Sequence, residues 1–160
     1  MDRADIAAKQ WARERPDLRT LPMAIFGRLS EAAERVVREH MNPLFAQVGL
    51  QAGEFDVLAT LRRSGAPFML SPTQLYESAM ISSGGMTDRL DRLERAGLVV
   101  RRPDPKDRRG KLIVLTDPGK RLIDEAIGRH VANEERLLLS LTQAEQEILD
   151  ALLRKLIAGL

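Results

Sequence analysis

The chain is 160 residues long, 44% hydrophobic and only 4% aromatic, which suits one packed domain made mainly of α-helix with a small antiparallel β-ribbon. Its 25 basic and 23 acidic residues leave a net charge of only +2, so the pI near 9.3 points to a polyanionic partner only if the positive charge is clustered. The absence of cysteine excludes disulfides, thiolate metal sites and a cysteine redox switch, while a charged N-terminus and no apolar run near the roughly 18 residues of a membrane span give the expectation of a soluble, cytoplasmic protein.

Residues Asp5 to Glu14 can form a short helix presenting Ile6 or Ala7 together with Trp11, the one tryptophan, and Pro16 ends or redirects it. From about Leu21 to Val48, Phe26, Leu29, Ala33, Val36, Val37, Leu44, Phe45 and Val48 recur at helical spacing, and Gly49 closes the run. Pro43 lies inside it, so a kink or break is expected near Met41 to Asn42. A shorter helix follows from about Ala52 to Arg63, with Phe55, Leu58 and Leu61 inward and Glu54 suited to the positive end of its dipole.

Ser71-Pro72-Thr73-Gln74 supplies a serine cap, a proline at the first helical position and a glutamine three residues later, with Leu70 and Leu75 as a hydrophobic staple. The helix it opens runs to about Met80, and Ser82 or Ser83 can cap the next one after a tight turn. That next helix carries an apolar stripe of Met86, Leu90, Leu93 and Ala96, with Arg89, Arg92 and Arg95 alternating with Asp88, Asp91 and Glu94 around the other faces. Two β-rich runs, Leu98 to Val100 and Leu112 to Leu115, then flank a long tip containing Pro103, Pro105 and Gly110. From Arg101 to Lys111 there are six basic residues against two acidic ones, so the charge excess is concentrated at this tip. Helix, turn, helix and basic ribbon together describe a winged helix-turn-helix, and hence a DNA-binding lobe.

After the ribbon, Thr116 can cap a helix keeping Leu122, Ile123, Ile127, His130 and Leu137 on related faces. Thr142 and Glu145 form a capping box for a last helix with Ile148, Leu149, Leu152, Leu153, Leu156 and Ile157. The terminal helices hold more leucine and isoleucine than a small winged lobe can bury, which points to a homodimer. His40 and His130 have no ligand-spaced companions, so no metal site is expected. No nucleophile with a base and no phosphate-cradling loop is present, and an enzyme is not expected.

Several residues suit contact with DNA on chemical grounds. Ser82, Ser83, Gly84 and Gly85 let the backbone approach closely and offer hydroxyls and helix-end N–H groups to phosphates or base edges; two adjacent glycines cost a helix roughly 1 kcal/mol each relative to alanine without aiding packing. Thr87 and Arg92 are further candidates, although a solvated surface with Asp88 and Arg92 paired four residues apart explains them equally well. Lys106, Arg108 and Arg109 at the tip are placed to meet phosphate or a groove of negative potential, the plain alternative being a solvated basic loop.

The segment TDRLDRLE followed by GLV, then DPKDRRG and LIVLTDPG, resembles the MarR family of bacterial transcriptional regulators across nearly the whole chain. AIFGRL, GEFDVLATLRRSGAPF, SSGGMTDRLDRLERAGLV and HVANEERLL, with the Trp11 extension, look like its urate-responsive branch. The resemblance implies a single MarR-type domain over 1–160, with a winged lobe at 50–116 and dimerisation helices at 1–49 and 117–160. It implies a repressor bound as a dimer to a pseudo-palindromic DNA operator, with half-sites about 10 base pairs apart, and released by a small aromatic anion such as urate. By the same resemblance Arg109 enters the minor groove and Asp107 holds the wing arginines in position. Trp11, Asp56, Arg89 and Arg101 match the urate signature, and their chemistry is suitable: an indole stacks on a planar purine and guanidinium groups bind its anionic edge. Without the resemblance, Trp11 reads as a core packer, Asp56 as a solvated helix residue and Arg89 as a phosphate contact. No cofactor is expected beyond such an effector. A winged-helix DNA-binding or interaction protein without a small-molecule response is the alternative.

Overall fold

The computed structural model describes residues 1–79 and 85–160, with Arg108 and Arg109 described by their backbone alone, and its contacts separate Met1–Gln47 from Val48–Leu160. In the first unit, α1 (Arg3–Glu14) opens on a reciprocal cap: Asp5 N donates to Asp2 Oδ1 (2.8 Å) and Asp2 N to Asp5 Oδ2 (3.2 Å). Arg28, on α2 (Leu21–Arg35), donates from Nε to Asp2 Oδ2 (2.8 Å) and also pairs with Asp5, tying the start of one helix to the middle of the other. The inward residues are Ala4 and Ala24, not Ile6 or Ala7 with Trp11. Small side chains allow this close approach: a methyl group on Gly27 would lie 3.6 Å from Ala4 Cβ. Phe26, Leu29 and Val37 of the expected stripe remain exposed within the chain.

The expected long helix is divided. A π-helical stretch, Val36–Met41, separates α2 from α3 (Asn42–Gln47), and the N–H of Asn42 reaches back to Val37 O. Pro43 has no N–H and its ring crowds the carbonyl four residues back, so regular α geometry is disfavoured immediately upstream.

The second unit begins with α4 (Ala52–Arg63), whose Val57, Leu58 and Leu61 are fully buried. A two-residue strand β1 (Met69–Leu70) precedes α5 (Pro72–Ser78), where Ser71 Oγ accepts from Gln74 N (3.2 Å) as the capping pattern requires. The helix ends at Ser78 rather than Met80, and Met80, Ile81, Ser82, Ser83 and Gly84 lie outside the described residues. The following helix, α6 (Met86–Arg95), has Gly85 at its N-cap with φ 78°, so the cap position falls to a glycine in the left-handed region rather than to a serine.

At its other end α6 stops in a Schellman turn. Gly97 N donates to Glu94 O (2.9 Å) and Leu98 N to Leu93 O (3.0 Å), with Gly97 at φ 71°. This reversal delivers the chain directly into β2 (Val99–Asp104), which pairs antiparallel with β3 (Asp107–Leu115). The sheet order is β1-β3-β2, so the ribbon gains a short third strand. The ladder also extends further than the apolar runs indicated, from Val99↔Leu115 out to Asp104↔Asp107, with an irregularity at Pro103/Asp104.

Thr116 then caps α7 (Asp117–Leu137), accepting from Gly119 N (3.1 Å) while its hydroxyl donates to Gly97 O (2.7 Å). A methyl group on Gly119 would overlap Leu98 O, so this glycine lets α7 start directly against the entrance to the wing. The last helix, α8 (Gln143–Ile157), carries the expected Thr142–Glu145 capping box but has no buried residue. Its Ile148, Leu149, Leu152 and Ile157 are all exposed within the chain. Among the described residues no helix is long and apolar enough to cross a membrane.

Candidate nucleic-acid interface

Helix α6 is held from two sides. Its inward face buries Leu90 and Leu93. Arg92 Nε donates to Glu54 Oε1 (2.6 Å) and its Nη2 to Gln51 Oε1 (3.2 Å), both at the start of α4. In place of the alternative pairing with Asp88, Arg92 takes a partner 38 residues earlier. Glu54 is buried, and a carboxylate held away from water is costly to leave unpaired, which keeps the guanidinium in place. Arg89 lies over the same first turn of α4: a methyl group on Gly53 would overlap Arg89 Nε and lie 2.8 Å from its Cδ. Asp56 is half-buried one turn further along that helix.

Arg101, on β2, fastens the other side. Its Nη2 donates to Asp91 Oδ1 (2.6 Å), its Nη1 to Glu94 Oε2, and its backbone N–H to Glu94 Oε1 (3.1 Å). The bond to Asp91, then that to Glu94, raises the guanidinium pKa above its ordinary value. The base of the wing and α6 are thus joined by a charged clasp. Thr87 is exposed on α6, and Gly85 at its start.

At the wing tip, Lys106 is exposed, and its N–H donates to Asp104 Oδ1 (2.8 Å). Asp107 is exposed as well; Asp104 and Asp107 crowd Gly110, where an added methyl group would meet their Cβ atoms at 3.1 and 3.0 Å. Arg108 and Arg109 belong to β3. Trp11 belongs to the first unit, where it is 44% exposed on α1 rather than packed in a core. The two histidines are separately placed: His40 in the π-helical stretch, and His130 on α7 with Nε2 3.1 Å from Glu134 Oε1 and its ring 4.9 Å from Phe55. Among the described residues no group of three or more His, Cys, Asp or Glu could hold a metal ion.

Sequence reasoning overlooked Gln51, Gly53, Glu54, Asp91 and Glu94 as parts of this arrangement. Glu54 stood out only as an acid in a first turn, and nothing local indicates that it meets Arg92. The acids of α6 had a visible signal, since Asp91 and Glu94 lie three apart on a face opposite an incoming arginine-rich strand.

A mainly helical chain in which α6 is followed by the antiparallel β2–β3 ribbon of a three-stranded sheet is a winged-helix protein. Comparison with known proteins gives its kinship. Residues 48–110 match the MarR family. The chain is 44% identical over 145 residues to the HTH-type transcriptional regulator PecS of Dickeya dadantii, covering 91% of this chain and 87% of PecS. A MarR family transcriptional regulator from Streptomyces coelicolor, solved in complex with DNA, superposes with a TM-score of 0.78 at 25% identity, over 89% of each chain. Bordetella bronchiseptica BpsR, whose DNA binding is regulated by 6-hydroxynicotinic acid, superposes with a TM-score of 0.65 at 26% identity, over 80% of this chain and 97% of BpsR. The chain belongs to the MarR family of transcriptional regulators, and these relatives are regulators rather than enzymes.

Proposed function

We propose that this chain acts as a homodimeric repressor, held on a pseudo-palindromic operator and released by urate or a related purine or aromatic anion. The DNA face comprises Ser82, Ser83 and Gly84, which precede α6 in the sequence, Gly85 and Thr87 at the start of α6, the reading helix, and Lys106, Asp107, Arg108 and Arg109 at the wing; Arg92 serves that face from behind. The effector is held by Asp56, Arg89 and Arg101, with Trp11 as its stacking residue by family resemblance.

The observation that carries the effector reading is the clasp between Arg101 and the carboxylates of Asp91 and Glu94. An anion arriving at Arg101 competes with both acids, and they belong to the reading helix, so binding loosens that helix from the wing base. Arg89, which belongs to α6 and lies over Gly53 at the start of α4, gives the same ligand a second hold on that helix. Regulation of BpsR by 6-hydroxynicotinic acid, a small aromatic acid, supports the chemical class. The apolar side chains of α8 and of Phe26 and Leu29 on α2, exposed within one chain, support the homodimer.

The test is a gel shift on the chain's own upstream DNA, titrated with urate, xanthine and a phenolic acid, for the native protein, Trp11→Phe and Arg89→Ala. Release of the native protein by one compound, with a blunted response in the variants, is the expected result. Equal responses of all proteins to all compounds discard the pocket. Retention on the operator at every concentration favours a winged-helix protein without a small-molecule response.

A further inference from the structure

We propose that Glu54 is a positioning residue for the reading helix, and that Arg92 sets the pitch of that helix against α4 instead of neutralising a DNA phosphate. The proposal rests on the DNA-binding reading given above and adds to it a part of the lobe outside the DNA face. Glu54 is the unusual member: its side chain is only 8% exposed, and its two oxygens do different things. Oε2 accepts from Gln51 N (2.8 Å) and closes the first turn of α4, while Oε1 accepts from Arg92 Nε (2.6 Å). Gln51 then takes a second N–H of the same guanidinium at 3.2 Å. The planar fork of Arg92 is therefore fixed at two of its nitrogens, which constrains rotation as well as distance.

Three neighbouring features make this an assembled seat. Arg89 and Arg92 are three residues apart and share one face of α6. Gly53, without a side chain, leaves the space that Arg89 occupies, and Glu54 beside it supplies the charge that Arg92 requires. Leu90 and Leu93, both buried, press the helix onto that seat. Thr87, Asp88 and Arg95 are exposed, so the face of α6 left for DNA is the one these residues occupy.

Substituting Glu54→Gln retains the shape and an acceptor for Gln51 N but removes the charge. If Arg92 neutralised a phosphate, this change would release its guanidinium, and operator binding would hold or tighten. A positioning role gives the opposite sign. The experiment combines hydrogen exchange of the DNA-free protein with operator affinity measured across a salt series, for the native chain, Glu54→Gln, Arg92→Gln and the double variant. Glu54→Gln is expected to speed exchange in Met86–Arg95 and to weaken operator binding about fivefold or more, with an unchanged salt slope. The double variant is expected to bind no more weakly than Arg92→Gln alone, because both changes remove one interaction. Arg92→Lys, which retains the positive charge beside Glu54 but lacks the fork, should fall between native and Arg92→Gln, and it carries the same test if Glu54→Gln does not fold. Unchanged exchange in α6, or a log-log salt slope shallower by about 0.9 in Arg92→Gln, overturns the proposal. Loss of specific operator binding by the native chain would count against the DNA reading alone, and the exchange measurement would still decide the role of Glu54.

Discussion

The winged lobe and the last helix use their apolar residues in opposite ways. In the lobe, Leu58, Leu61, Leu75, Leu93, Val99 and Ile113 are all but inaccessible to water, and helices, caps and sheet converge on them. Along α8, Ile148 and Leu152 are 59% and 60% exposed although their spacing is just as regular. Regular spacing therefore identifies a face that must be covered, and only the fold tells whether the same chain covers it. The lobe is complete by itself, whereas α8 calls for a second surface.

The largest effect should come from emptying the lobe's core. Leu58→Ala removes a fully buried side chain and is expected to cost about 2–5 kcal/mol in chemical denaturation. Leu152→Glu should leave that core intact and instead raise the dimer dissociation constant at least tenfold, about 1.4 kcal/mol, as read by sedimentation. A dimer unaffected by Leu152→Glu would show that α8 is not the covered face.

A pair of glycines on α7 sharpens the same distinction between occupied and open surroundings. Gly119→Ala would drive a methyl group into Leu98 O, a backbone atom that cannot swing aside, and should destabilise by about 1–3 kcal/mol. Gly128 has open space around its position, and Gly128→Ala should stabilise by about 1 kcal/mol through helix propensity. Equal melting temperatures for the two variants would contradict the close packing of α7 at the wing.

The smallest effect concerns the helix starts, and it depends on pH. Hydrogen bonds from the Thr142 backbone N–H, and then its hydroxyl, hold the Glu145 carboxyl below its ordinary value, and Arg28 does the same for Asp2. Both folded-state values are depressed, so their contributions are fully present above the unfolded carboxylate pKa and are lost as pH falls through the folded values. Glu145→Gln should therefore lower stability slightly near neutrality and leave it almost unchanged at pH 3, flattening the loss on acidification, which thermal melts from pH 7 to pH 3 can check.

What was legible beforehand follows this division between local and distant. The caps of Ser71, Thr116 and Thr142 were readable because each rests on residues three apart, and the helix-and-ribbon order of the lobe followed from spacing and turn residues. The ribbon's true length was not, because Arg101 to Asp104 and Asp107 to Lys111 are held by backbone hydrogen bonds that a polar sequence does not advertise. Strand β1 is two residues long and has no period to detect. Of the proposed site, the types of Arg89, Arg92 and Arg101 were readable, but their internal partners were not. The meeting of Arg92 with Glu54, and the space left by Gly53 for Arg89, exist only once α4 and α6 cross.

The most direct test of the central claim is the affinity of the native chain and of Arg89→Ala for the operator, by fluorescence anisotropy with and without saturating urate. Coupling through the reading helix should weaken native binding by about tenfold or more and leave Arg89→Ala nearly unresponsive. The same weakening in both proteins, or none in the native chain, would contradict it.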